Sequence, residues 1–266
     1  QAGRIVVDAM IDGKGPFPFI FDTGAHGSVM DLKFAKEQGF ELGMEVLVGS
    51  PNGPGRPGKL ATLAKFQIGG LTLSGLTSVA FDGLPFPRTE TSPRGVIGPY
   101  GLRGLLVTLD YARERLVFTR GALPEPDGRN IFGWDPSKGL PQVPITVAGR
   151  LINVHLDSGA TNGLSLPIEM AKDLPLASPP VAMGHAKAVD HESAVSGAPL
   201  KGAVTIGRYR VENPTLLFGD MLKTVGNVGP PILRQFRLTI DPANARLQLN
   251  GPADGRLVAP VETARK

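Results

Sequence analysis

Two aspartates stand in matching surroundings. Asp22 ends the apolar run Phe19-Ile20-Phe21 and leads into Thr23-Gly24-Ala25, while Asp157 ends Val154-His155-Leu156 and leads into Ser158-Gly159-Ala160. In each case an apolar strand carries a carboxylate at its end. The Gly admits a backbone conformation and a close approach that a Cβ would block, and the Thr or Ser hydroxyl can bond across to backbone and stiffen the loop. Brought face to face by twofold symmetry, two such carboxyls cannot both ionise, so they share one proton. The ionised member can then take a proton from a water held between them, while the protonated member donates to a carbonyl oxygen. This suits amide hydrolysis without a covalent intermediate. A carboxylate pair for glycoside cleavage needs its carboxyls about 5 Å or more apart, whereas this symmetry brings them into contact.

The elements that must position these residues occur twice. After the first motif comes a helical pattern, Asp31-Leu32-Lys33-Phe34-Ala35-Lys36-Glu37-Gln38, which Asp31 should cap and Gly39 should end. After the second, residues 167–174 read as helical, with Pro167 where a first turn tolerates it. Val96-Ile97-Gly98 matches Asn227-Val228-Gly229, and Leu106-Val107-Thr108-Leu109-Asp110 matches Arg237-Leu238-Thr239-Ile240-Asp241. Each copy then turns and returns as a strand, Leu116-Val117-Phe118 and Leu247-Gln248-Leu249. The copies are offset by 135 residues at the Asp motifs and by 131 at their ends. The length difference lies in Gly-rich segments, 49–58 and its counterpart 183–199, of which the first is too rich in Gly and Pro for a helix or central strand. Strand-like stretches at 64–68 and 203–206 follow, each leading through a Gly turn to another strand.

These residues carry a resemblance. Asp22-Thr23-Gly24-Ala25 and Asp157-Ser158-Gly159-Ala160, each with an apolar-Gly pair downstream, resemble the signature of the aspartic peptidases, the standard example of a carboxylate dyad. The likeness runs from about Ile5 to Leu249 and is nearest to retropepsin-like lobes fused in one polypeptide as in pepsin. It implies an all-β, bilobal acid-protease fold of two pseudo-twofold-related lobes with short helices. It also implies that Asp22 and Asp157 are the catalytic carboxylates, that Thr23 and Ser158 brace them, and that Gly24 and Gly159 lie along the substrate backbone. Ile97, Gly98, Val228 and Gly229 would support the loops from behind. Gly49, Ser50, Asn52 and Gly53 would belong to a flap closing over a peptide. Two departures stand out: His26 replaces a residue that is often small and polar or acidic, and the first flap region lacks a Tyr.

Other residues read more plainly. His155 lies two positions before Asp157 and matches Ile20, which suits a hydrogen-bonded histidine in the fold rather than a ligand. His185 and His191, near Asp190 and Glu192, fit no ligand spacing, so no metal or cofactor is expected. Arg113-Glu114-Arg115 reads as a solvated turn and Trp134 as packing. The chain has no Cys, which excludes thiol nucleophiles, disulfides and Cys-held metals. Its formal charge of +4 comes without basic runs or interleaved aromatics, and no GxGxxG sits between strand and helix, so nucleic acid and nucleotides are not expected partners. No apolar stretch reaches the ~18 residues of a membrane span.

The expected organisation is an N-terminal lobe at 1–120, a Pro-containing linker at 121–139, a C-terminal lobe at 140–250 and a polar, loose tail at 251–266, in which Leu257-Val258-Ala259 offers an edge strand. Both loops come from one chain, so a monomeric endopeptidase acting on extended peptide is expected. The rival reading is a module of the same fold that holds peptides without cutting them. The start at Gln1 leads to an expected periplasmic or secreted location, as for a chain trimmed of its leader.

Overall fold

In the computed structural model, described over residues 4–49, 53–86, 89–138, 140–187, 190, 192–220 and 222–262, the chain is all-β with short helices, as the sequence predicts. One seven-stranded sheet uses only strands between residues 5 and 97. A ten-stranded sheet uses only strands between 142 and 257, and a five-stranded sheet draws on both halves.

The shared sheet shows how the copies relate. Leu106–Asp110 and Arg237–Asp241 pair antiparallel at its centre, and the matched residues Thr108 and Thr239 fall directly opposite each other. Their hydroxyls are 2.9 Å apart and both are buried. A residue meeting its own counterpart lies on the twofold axis, so the axis passes through this pair. Flanking strands Arg115–Thr119 and Arg246–Asn250 extend the sheet. The segment read as a linker adds Ile131–Gly133 to one edge.

Local chemistry explains the helices. Asp31 Oδ1 accepts from Phe34 N at 2.9 Å at the start of helix Leu32–Gln38, and Gly39 ends the helix in the left-handed region, φ 70°. Phe34 is the helix's anchor, edge-on to Phe17 at 4.8 Å in the first half's core. In the second half, Ile168–Asp173 forms a 3-10 helix instead of a full α-helix.

Two expectations shift. The long strand Arg56–Ile68 begins inside the segment read as loop. Pro57 is tolerated there because it pairs with Leu47 only, while pairing to the next strand begins at Gly58. The C-terminal tail is tied down instead of loose: Arg256–Leu257 joins the edge of the large sheet beside Tyr209–Glu212. Beyond it, the Gln235 side chain pairs with Val258 as a strand would, accepting from its N–H at 2.7 Å and donating to its carbonyl at 2.9 Å. Among the described residues no helix is long and apolar enough to cross a membrane.

Candidate active site

Each Asp is delivered by the same device. Strand Lys14–Phe21 runs parallel to Gly95–Ile97, with Ile20 opposite Val96 and Phe21 opposite Ile97. Strand Arg150–Leu156 runs parallel to Gly226–Val228, with His155 opposite Asn227 and Leu156 opposite Val228. Asp22 N then donates to Ile97 O at 2.9 Å and Asp157 N to Val228 O at 2.8 Å, so both loops leave their sheets identically anchored. A Cβ on Gly98 would collide with Ala25 O, and one on Gly229 with Asn162 O. The apolar-Gly pairs are therefore fixed by the backbone passing in front of them.

Thr23 and Ser158 cross-link the loops. Thr23 N donates to Ser158 Oγ at 2.9 Å and Ser158 N to Thr23 Oγ1 at 3.0 Å. Each hydroxyl in turn donates to the residue before the opposite Asp: Thr23 Oγ1 to Leu156 O at 2.6 Å, and Ser158 Oγ to Phe21 O at 3.1 Å. Both residues are essentially sealed from solvent, at 1% and 0% exposure, so these four bonds satisfy groups that water cannot reach. A small hydroxyl suits both positions because its one oxygen donates and accepts at once.

The carboxyls sit above this brace. Asp22 Oδ1 accepts from Gly24 N at 2.7 Å and from Gly159 N at 2.9 Å. Asp157 Oδ1 accepts from Gly159 N and Ala160 N, both at 2.9 Å, and Asp157 Oδ2 from Asn227 Nδ2 at 2.8 Å. Gly159 N donates to both Oδ1 atoms, so the two carboxyls stand side by side. Burial, and after it the charge of Asp157, pushes the Asp22 carboxyl far above the usual carboxylate range, to about 8. The motif glycines have a steric reason of their own. A Cβ on Gly24 would stand 2.5 Å from the Asp157 carboxyl, and one on Gly159 would collide with that of Asp22. Any larger residue would drive the pair apart.

Two neighbours, Tyr100 and Tyr111, were not singled out from sequence. The Tyr100 hydroxyl donates to Thr23 O at 2.6 Å, with Trp134 edge-on to its ring at 6.1 Å. The exposed His26 ring stacks on Tyr100 at 6.3 Å, facing solvent. Tyr111, directly after Asp110, keeps a buried hydroxyl beside Ser158. Burial, then the nearby Asp22 and Asp157 charges, push both phenols upward, so both stay protonated. Asn227 did carry a visible signal, since it is polar where its counterpart Val96 is not. His155 is held through Nδ1 to Pro141 O at 3.0 Å.

Of the flap residues, Ser50 and Asn52 lie outside the described residues, as does His191. Gly49 and Gly53 lie against Asp190, which belongs to the turn of the other half's hairpin, Val181–Lys187 with Glu192–Pro199. Gly55 N donates to Asp190 Oδ2 at 3.0 Å. The two Gly-rich segments thus meet. Among the described residues no group of three or more His, Asp or Glu is gathered as metal ligands would be.

Residues 7–99 match the family model described as aspartyl protease, a span that holds the first Asp motif together with Ile97 and Gly98. Among curated proteins none matches the chain.

Proposed function

We propose that the chain is a single-chain aspartic endopeptidase with one catalytic centre formed by Asp22 and Asp157. The observation that carries this reading is the pair itself: two carboxyls sharing the Gly159 N–H donor above a reciprocal Thr23–Ser158 brace. In hydrolysis the ionised carboxylate takes a proton from water as its oxygen attacks the scissile carbonyl carbon, and the protonated carboxyl gives its proton to the carbonyl oxygen. Collapse of the tetrahedral species breaks the C–N bond. The amine leaves with the proton that the base had accepted, and the acid recovers its own from the hydroxyl. Each carboxyl thus ends as it began, and the pair holds one proton at the start and at the finish.

In this reading the lobes are 1–120 and 140–250, joined by 121–139 and followed by the tail 251–266. The substrate is an extended peptide bound like an added strand, with the hairpins that meet at Asp190 as its cover. A retropepsin-like lobe alone would have to dimerise, whereas this chain supplies both Asp loops. The active species is therefore a monomer.

The test is cleavage of an unfolded protein substrate followed by mass spectrometry. A hydroxyl-bearing isostere of the tetrahedral species should inhibit, as a mimic of the transition state, and a metal chelator should not. Sedimentation at active concentrations should give a mass near 28.0 kDa. Activity that rises with the square of protein concentration would remove the single-chain reading, and chelator sensitivity would remove the aspartic one.

A further inference from the structure

The two carboxyls stand in matching frames but meet different neighbours. Behind Asp22 the paired positions are Ile20 and Val96, both hydrocarbon; behind Asp157 they are His155 and Asn227, both polar. Where the first half offers a methyl group, the second offers an amide that donates to Asp157 Oδ2 at 2.8 Å. Backbone donors do not separate the two: each carboxyl accepts two backbone N–H bonds on Oδ1, with Gly159 N shared between them. The Asn227 amide on Asp157 Oδ2 is the difference. A donor aimed at a carboxylate oxygen favours the ionised form and opposes a proton on that oxygen. Two carboxyls this close, on one shared N–H, hold one proton between them, and Asp22 is the side with no side-chain amide opposing it.

We propose that Asn227 is a positioning residue that fixes the division of labour in the pair: it holds Asp157 ionised as the general base and leaves the proton on Asp22, the general acid. The roles rest on the peptidase reading above, but the proton's place is a property of the folded protein and is measurable without substrate. The other titratable or charged groups around the pair do not reproduce the bias. Tyr100 and Tyr111 are neutral phenols; Tyr100 donates to Thr23 O and His155 to Pro141 O. Arg4 Nε donates to Gly159 O and Arg234 Nε to Pro230 O, both backbone carbonyls, and His26 lies outside on Tyr100.

The experiment is a pH titration of aspartate side-chain carboxyl carbons by NMR, on wild type, Asn227→Val and the exchanged double variant Val96→Asn/Asn227→Val. In wild type the first ionisation should localise to Asp157 and the second to Asp22. In Asn227→Val the first step should rise by about one pH unit, the scale of one lost charge-assisted bond, and its signal change should spread over both residues. In the exchanged variant it should move to Asp22. Asn227→Ala, which only trims the side chain, should give the same rise and serves if Asn227→Val fails to fold. A first step located at Asp22 in wild type, or one that stays put and localised at Asp157 in Asn227→Val or Asn227→Ala, overturns the proposal. Where peptide is cleaved, the acid limb of kcat/KM should follow the first step upward with KM little changed. Absence of cleavage with the titration pattern intact would count against the peptidase reading and leave the proton assignment standing.

Discussion

The loops at Asp22 and Asp157 share a backbone, down to the turn bond from the residue three positions on: Ala25 N to Asp22 O and Ala160 N to Asp157 O, both at 3.3 Å. They differ in what surrounds that backbone. The first loop is held from outside by the Tyr100 hydroxyl on Thr23 O. The second is held by Asn227, by Arg4 on Gly159 O at 2.8 Å, and by Glu262 Oε1 accepting from Gly163 N at 2.6 Å. Groups on the axis must serve both copies, so Thr23 and Ser158 can only be exchanged for another hydroxyl without breaking two bonds at once. Groups off the axis serve one copy and are free to differ. The symmetry of the brace brings the carboxyls together, and the asymmetry around it makes them unlike.

The largest expected effect comes from removing either carboxyl. Asp22→Asn and Asp157→Asn preserve size but leave no exchangeable pair. Each should lower peptide cleavage by at least about 10³-fold, and the double variant should cost little more, because the two act as one unit. Circular dichroism should show the fold retained. A single variant with near-wild-type turnover would mean that the two loops are not partners in chemistry, whatever their geometry.

Next in size is the brace, where the two halves should behave alike. Thr23→Val leaves Ser158 N without an acceptor and Leu156 O without a donor; Ser158→Ala does the same to Thr23 N and Phe21 O. Each orphaned buried group costs about 1–3 kcal/mol, so both variants should unfold at clearly lower denaturant. The double variant should cost less than the two losses added, with a coupling of about 0.5–3 kcal/mol. Costs for the two singles that differ widely would show that the brace is not the symmetric element its distances describe.

A pH effect separates the loops again. The Asp22 carboxyl is raised in the folded state by burial and then by the Asp157 charge, so the native protein binds its proton more tightly than the unfolded chain does. Stability from this group is present at acid pH. It declines as pH rises through the usual carboxylate range towards about 8. Asp22→Asn, neutral at every pH, should therefore raise Tm near neutrality by at least about 2 °C, a gain of roughly 1 kcal/mol for a chain of this size, and the gain should shrink on acidification. Activity needs the same proton, so its alkaline limb should lie above the usual carboxylate range. A variant that gains nothing near neutrality would mean that the carboxyl is not strained by its site.

The sequence made the symmetric part legible and left much of the rest dark. Asp22, Asp157 and their hydroxyl and Gly neighbours repeat in order, and Asp31 and Gly39 bracket a helix by local rules, so neither needs tertiary information. Asn227 was in plain view, but a polar residue beside an apolar-Gly pair carries no local signal that its amide meets a carboxylate on another strand. Arg4 on Gly159 and Glu262 on Gly163 join positions far apart in the chain, and only closure of the sheets brings them together. Asp190 read as part of a polar cluster with His185. Its carboxylate instead accepts from Gly55 N across the two Gly-rich segments, a contact that no spacing within one segment can reveal.

The smallest expected effect concerns the tail, where the comparison of the loops is sharpest because the perturbation is so far from the brace. Glu262 reaches Gly163 past Pro260, which packs where a Cβ on Gly163 would lie. Gly163 O in turn accepts from Gly229 N at 2.8 Å, directly after the strand that carries Asn227. Removing the partly exposed side chain in Glu262→Ala opens the N–H of buried Gly163 to water, so global stability should fall by no more than about 1 kcal/mol. The local effect should be one-sided. Amide hydrogen exchange should quicken at Gly163 and Gly229 while Gly27 and Gly98, the matching positions of the first half, stay unchanged. Equal quickening in both halves would mean that the tail acts on the molecule as a whole, and that the second loop does not owe its separate character to the supports around it.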